Sequence, residues 1–409
     1  MELKEVIQCL RWLVTFRNPK EILVDHTSFL AVEVLFYIGF VLTLKHALRN
    51  GGRYFYLWLA VLVHGLAVES LSYMIPDIDS FWHAQSSVML FGQRLPLHIV
   101  CFYPVLIYTA SVAVSRMKLP LWSEVCAVGI AMVVLDIPND IIGIKLLWWT
   151  FHDTDPNLAE RLYWVPWTSY FFFGAFMSSL TFCLHTFRKV MTGNKKYSAG
   201  GHLTEICCAV ASGIIAIPLG ILQFALLYHI PHDIYKVPAS VCTIIYLATL
   251  CLLAWTGDRS VGTMTKLTKV TDNYQKKVDE LFLFVVLYFS FFAIVTFVAQ
   301  PQSIFSAGFH QPIGSCDEKI PVHTPIGMVL SKNKYLCASN YNEGYFDFHC
   351  AMQPIINWKH KDWYIICGTK FENQNEYIAV IVSAAVFGIY FYYQLLINSG
   401  RDVLTGNPI

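Results

Sequence analysis

The chain has 409 residues, of which 56% are hydrophobic and only 14% charged, with a mean hydropathy of +0.49. Soluble domains run near 25% charged, so a chain this long with so few charges is built for a solvent other than water. The net charge of +1 gives no reason to expect a nucleic-acid or strongly acidic partner, and none is expected.

Residues 1–26 mix charges with apolar Val6, Ile7, Leu10, Leu13 and Val14 at helical spacing. That pattern predicts an amphipathic segment lying on the membrane, and not a cleavable leader. Apolar runs then recur at 28–46, 54–75, 96–115, 121–143, 163–187, 205–229, 237–256, 281–299 and 377–397. Each is close to the ~20 residues that cross about 30 Å of hydrocarbon. The expected fold class is therefore all-α: a polytopic membrane bundle of about nine helices. Residues 27–299 form its main body, 300–376 an extramembrane loop, and 377–409 a last span and short tail.

Orientation follows from Lys and Arg. Arg49 and Arg53, Arg116 and Lys118, Arg188, Lys189, Lys195 and Lys196, and Arg259, Lys266, Lys269, Lys276 and Lys277 fall in one alternating set of connections. The other short connections hold only Arg94, Lys145, Arg161 and Lys236. The basic set is expected in the cytoplasm of an endomembrane or plasma-membrane protein. The N-terminus would then be lumenal or extracellular and the C-terminus cytoplasmic, although Lys4, Arg11, Arg17 and Lys20 pull the other way. Cys316, Cys337, Cys350 and Cys367 all lie in the 300–376 loop, on the side where disulfides persist. Two bridges are expected, with the pairing open among three possibilities. A zinc site lacks any C-x2-C spacing there, and no metal is expected.

Ionisable groups inside apolar runs need a reason to be there. Glu69 and Asp136 lie several residues inside their runs; Asp140 is one turn beyond Asp136, and Tyr73 one turn beyond Glu69. These three acids are the candidate catalytic groups, because a partly buried carboxyl suits proton transfer. His64 is the deepest polar residue, and His98 opens the third span. Trp148, Trp149, Trp164, Trp167 and Tyr170 cluster next to the acids. Such rings form an interfacial belt, or they line a pocket in which ring faces shelter a cation. His64, Tyr73, His98 and these five aromatics are the candidate substrate-binding residues. His229-x-x-His232-Asp233 has metal-ligand spacing, but only one such pair occurs. Gly213, Ala216 and Gly220 have small-residue spacing that suits helix packing.

Residues 64–170 resemble the membrane-bound carotenoid hydratase family of microbial isoprenoid metabolism. The resemblance lies in HGLAVESLSYMIP, LFGQRLPLHIVCFYPVLIYTA, LDIPNDIIGIKLLWWTFHDTDP and YWVPWTSYFFFG. It implies Glu69, Asp136 and Asp140 as matching acids. The last three spans and the cysteine loop have no counterpart in that family. Two classes of function follow. One is an enzyme modifying a lipid or isoprenoid, a hydrophobic small-molecule substrate, by acid catalysis from intramembrane carboxyls. The other is a transporter or receptor whose acids bind an ion or small ligand. The residues name no cofactor.

Overall fold

The computed structural model describes residues 3–193, 199–265, 280–341, 343–351 and 360–399. Lys195, Lys196, Lys266, Lys269, Lys276 and Lys277 lie outside the described residues, as do the tail after Ser399 and the side chains of Lys4, Val6 and Ile7. Two short helices come first, α1 (Leu3–Leu13) and α2 (Pro19–Asp25). Nine long ones follow: α3 (Thr27–Asn50), α4 (Tyr54–Met74), α5 (Leu97–Ser115), α6 (Leu121–Lys145), α7 (Trp167–Thr192), α8 (His202–Phe224), α9 (Ala239–Thr265), α10 (Glu280–Val298) and α11 (Gln374–Tyr393). Among the described residues these nine are long and apolar enough to cross a membrane. The chain is a multi-pass membrane protein.

Burial sorts the helices. α5 is enclosed along almost its whole length by α3, α4 and α6. Peripheral helices instead leave large apolar side chains bare, such as Ile214 and Ile215 of α8, Ile244 and Leu252 of α9, and Val386 and Phe387 of α11. Exposed apolar area of this extent suits contact with lipid chains. Gly213 shows why the small-residue stripe of α8 matters. A Cβ there would stand 2.9 Å from the Ala60 carbonyl, so only glycine lets α8 meet the α4 backbone.

The expectation of a purely helical fold needs correction. Short antiparallel strands gather at one end of the bundle: Val14–Phe16 with Val88–Leu90, Phe81–His83 with Trp149–Phe151, and Arg161–Leu162 with Val165–Pro166. The connectors at that end, 75–96 and 146–166, are long, whereas 51–53 and 116–120 at the other are tight turns. Long packed connectors must satisfy their own backbone groups, and pairing as strands does so. Tyr163 and Trp164 both take positive φ (51° and 67°) to close a two-residue hairpin.

The cysteine loop is also built of strands. Phe305–Ile313 pairs with Lys361–Gly368, which also pairs with Phe346–Asp347, and Lys319–His323 forms a hairpin with Val329–Asn333. Cys316 bonds Cys337 across the base of the hairpin, and Cys350 bonds Cys367. The loop is tied to the bundle connectors by buried polar contacts. Arg161 grips Glu343 at 2.6 Å and 2.8 Å, Lys332 meets Asp155 at 3.1 Å and Ser80 at 2.8 Å, and Gln311 exchanges hydrogen bonds with Asp153.

Candidate functional site

Because the helices alternate in direction, the starts of α3, α5 and α7 share one end of the bundle with the ends of α4, α6 and α8. A cavity of about 430 Å³ lies at that end. Its walls are mainly aliphatic and aromatic, among them Phe36, Phe102, Trp149, Phe173, Phe176 and Phe224. Its polar groups come from different elements, among them Glu69 on α4, His83 on the connector, His98 on α5, Asn139 and Asp140 on α6, Ser169 on α7 and His229 after α8. Ile75, Ile78 and Ile221 line the cavity and are also exposed, so it reaches the surface between the end of α4 and α8. The hairpin tip, His323 to Pro325, lines it from the loop side, where the His323 amide donates to Asp77 at 2.9 Å.

Glu69 is held in place by packing that begins in the sequence one turn earlier. The Tyr103 ring lies so close over Gly65 that a Cβ there would be 2.4 Å from it. The tyrosine hydroxyl then reaches along α4 and donates to Glu69 Oε1 at 2.7 Å. His83 Nε2 stands 3.6 Å from Glu69 Oε2. Strand pairing sets His83 opposite Trp149, their rings edge to face at 6.4 Å. Trp149 in turn packs on Gly143, where a Cβ would stand 2.3 Å from the indole. Leu147 has a positive φ of 57° just before the paired tryptophans and turns them back onto the bundle. Asp140 Oδ2 accepts from Ser169 at 2.6 Å. Both oxygens of Asp136, one turn deeper, are buried with no hydrogen-bond partner among the described residues.

The candidate residues therefore divide. Glu69, Asp140, His98, Trp148 and Trp149 line the one cavity. Asp136 sits behind its wall, fully buried. Trp148 donates to Ser28 Oγ at 3.2 Å, and His98 lies between the rings of Phe29 and Phe36. His64 bonds the Gly213 carbonyl at 2.8 Å, at the contact of α4 with α8. Tyr73 lies under the Arg94 guanidinium, 5.9 Å from its ring centre. Trp167 and Tyr170 pack edge to face at 6.2 Å outside the cavity lining. Trp164 belongs elsewhere. It lines a second, polar cavity of about 420 Å³ with Arg161, Tyr163, Glu372, Glu376 and Tyr377, and donates to Glu372 at 2.9 Å.

His83, Tyr103, Asn139 and Ser169 escape a reading of the sequence. His83 lies in a polar connector, and the others look like ordinary span residues until neighbouring helices converge. Around the second cavity, burial pushes the Glu343 carboxyl up to about 7 against the pull of Arg161. Burial also raises Asp153. Asp347, His349 and Cys367 lie close together, but Cys367 is bonded to Cys350 and offers no thiolate.

A membrane bundle with a largely apolar pocket and converging carboxyl and imidazole groups at one end is the class that these features define. The chain belongs to the family described as "Domain of unknown function (DUF7802)", which matches residues 2–397. No curated protein and no solved structure matches it.

Proposed function

We propose that this protein is a membrane enzyme that takes the apolar chain of a lipid or isoprenoid into the cavity and alters it by proton transfer from Glu69 and Asp140. The observation that carries this reading is the convergence of both acids, from different helices, on one apolar cavity that reaches the surface between two spans. Pockets of about 300–1,000 Å³ suit small-molecule ligands, and apolar walls with a few fixed polar groups orient them. An alkene in the cavity takes a proton from a carboxyl. The faces of Trp149 and its aromatic neighbours then shelter the cation, and water closes the addition. The resemblance of residues 64–170 to carotenoid hydratases supports the same chemistry. Asp136, behind Asp140, is a reserve position for the proton.

We place the cavity and the cysteine loop on the lumenal or extracellular side, with the N-terminus, because the basic connections lie at the other end. Protease protection of the loop in sealed vesicles tests this sidedness. The function is tested by lipid extraction and mass spectrometry from cells with and without the protein, with Glu69→Gln, Asp140→Asn and Asp136→Asn as controls. A lipid species should change with the wild type and revert with Glu69→Gln. A profile identical in all cells removes the enzyme reading.

The alternative is a transporter. It is favoured by a small cavity of about 30 Å³ among Arg53, Ser111, Glu124 and His185, nearer the opposite end of the bundle. Substrate flux into vesicles that falls with Glu124→Gln and leaves lipids chemically unchanged would select it.

A further inference from the structure

After Phe224 the sixth span, α8, continues for ten residues, Ala225–Ile234, as a π-helix. Such stretches are rare, and they recur at functional sites because the extra residue per turn re-aims side chains. This one carries His229 and Asp233. Nδ1 of His229 meets Asp233 Oδ2 at 2.7 Å, with the two side chains only 8% and 2% exposed. With Asp233 as the acceptor of this bond, the proton sits on Nδ1 and Nε2 keeps its lone pair. His229 lines the apolar cavity. Among the described residues its Nε2 bonds to nothing, yet it is not sealed off as His64 Nε2 is. With His229 part of the cavity wall, this accessible nitrogen is the one available to a molecule held there. The flanking groups are fixed for other reasons: His232 bonds the Val237 carbonyl at 2.8 Å and stacks on Tyr228 at 5.0 Å.

We propose that His229, positioned by Asp233, is the general base of this cavity. The inference rests on the acid–base reading of the site and adds its missing half. As Glu69 or Asp140 gives a proton to one alkene carbon, the oxygen of a water bonds to the other. Nε2 of His229 takes the proton that this oxygen loses. The net change is alkene plus water to alcohol, and the proton returns from imidazolium to carboxylate through water. A carboxylate–imidazole pair suits this task because the carboxylate holds the tautomer and stabilises the imidazolium that forms.

The test uses the full chain in lipid nanodiscs with two readouts. The first is carbethoxylation of histidines by diethyl pyrocarbonate, mapped by peptide mass spectrometry with and without farnesol as an apolar probe. His229 should label faster than His232 and be protected by farnesol. Labelling should fall several-fold in Asp233→Asn and recover in Asp233→Glu. The second readout is the lipid product described above, which His229→Gln should lower by ~100-fold, the scale of a lost general base, with farnesol binding retained. Inert His229 in the wild type, labelling unaffected by Asp233→Asn, or full product from His229→Gln each overturns the proposal. Asp233-dependent, farnesol-protected labelling in a protein that changes no lipid supports the dyad and places the failure with the acid-catalysis reading.

Discussion

Acidification is expected to loosen the extramembrane sheet, by an amount that the buried histidines and carboxyls at its contact with the bundle set. His310, on the Phe305–Ile313 strand, packs against the Tyr364 ring at 4.9 Å, and burial lowers its pKa from 6.5 to about 4. His152, on the connector beneath, is lowered to about 4 by burial and by the charge of Lys332. Once the sheet opens, each imidazole takes a proton below 6.5, whereas the folded one waits until about 4. Opening therefore becomes easier as pH falls through that window. At about 1.4 kcal/mol per pKa unit, each histidine costs about 2 kcal/mol at pH 5 relative to pH 7.5. Glu343 acts in the opposite sense. Its folded pKa is raised from 4.5 to about 7, so its contribution is full below the first value and lost as pH rises through the second. It returns about 2 kcal/mol over the same interval, and Asp153, also raised by burial, acts in the same sense, leaving a net loss on the order of 1–2 kcal/mol. Hydrogen exchange of peptides covering residues 305–313 and 361–368, corrected for intrinsic rates, reads this as faster opening at pH 5. His310→Gln should lower the pH sensitivity markedly. Protection that holds or grows on acidification in the wild type, or an unaltered sensitivity in His310→Gln, would refute the reasoning.

Three further outcomes are expected. Gly65→Ala drives a methyl into the Tyr103 ring, so it should cost about 1–3 kcal/mol as overpacking and reduce lipid product by moving Tyr103 off Glu69. Unchanged melting together with unchanged product would contradict that packing. Lys332→Met leaves Asp155 buried without its cation, a change worth about 3–5 kcal/mol. It should expose the 319–333 hairpin to limited proteolysis, and the double variant Lys332→Met with Asp155→Leu should regain part of the protection. Peptide mapping under non-reducing conditions should find Cys316 joined to Cys337 and Cys350 to Cys367, and any other pairing would show a different loop fold.

The nine spans were legible because each is a long apolar run, and lipid forces a helix on any such run. The strands were not. Phe81–His83 and Trp149–Phe151 are three residues each, too short for an alternating pattern to register. The four loop cysteines could be read as bridged but not paired, since pairing depends on the hairpin between Cys316 and Cys337. Among the site residues, Glu69 and Asp136 stood out as acids several residues inside apolar runs, with Asp140 nearer the boundary. Depth in the run favoured Asp136, yet Asp140 lines the cavity and Asp136 lies behind its wall. They are one helical turn apart, and only the packing of α7 against α6 decides which faces the space. Trp164 looked like a neighbour of Trp149 but is swung away to the second cavity by the positive-φ turn at Tyr163 and Trp164. His229 and Asp233 were visible as a motif, but their role depends on a π-helical stretch that spacing alone does not announce.

Whether an apolar chain occupies the cavity is read most directly by photocrosslinking with a diazirine-bearing isoprenoid alcohol in native membranes, followed by peptide mapping. Label is expected on the ends of α4 and α8, around Leu71, Ile75 and Ile221, and it should be lost when Ile217→Trp fills the cavity wall. Label confined to lipid-facing positions such as Val386 and Phe387, and indifferent to Ile217→Trp, would contradict a substrate site in the bundle.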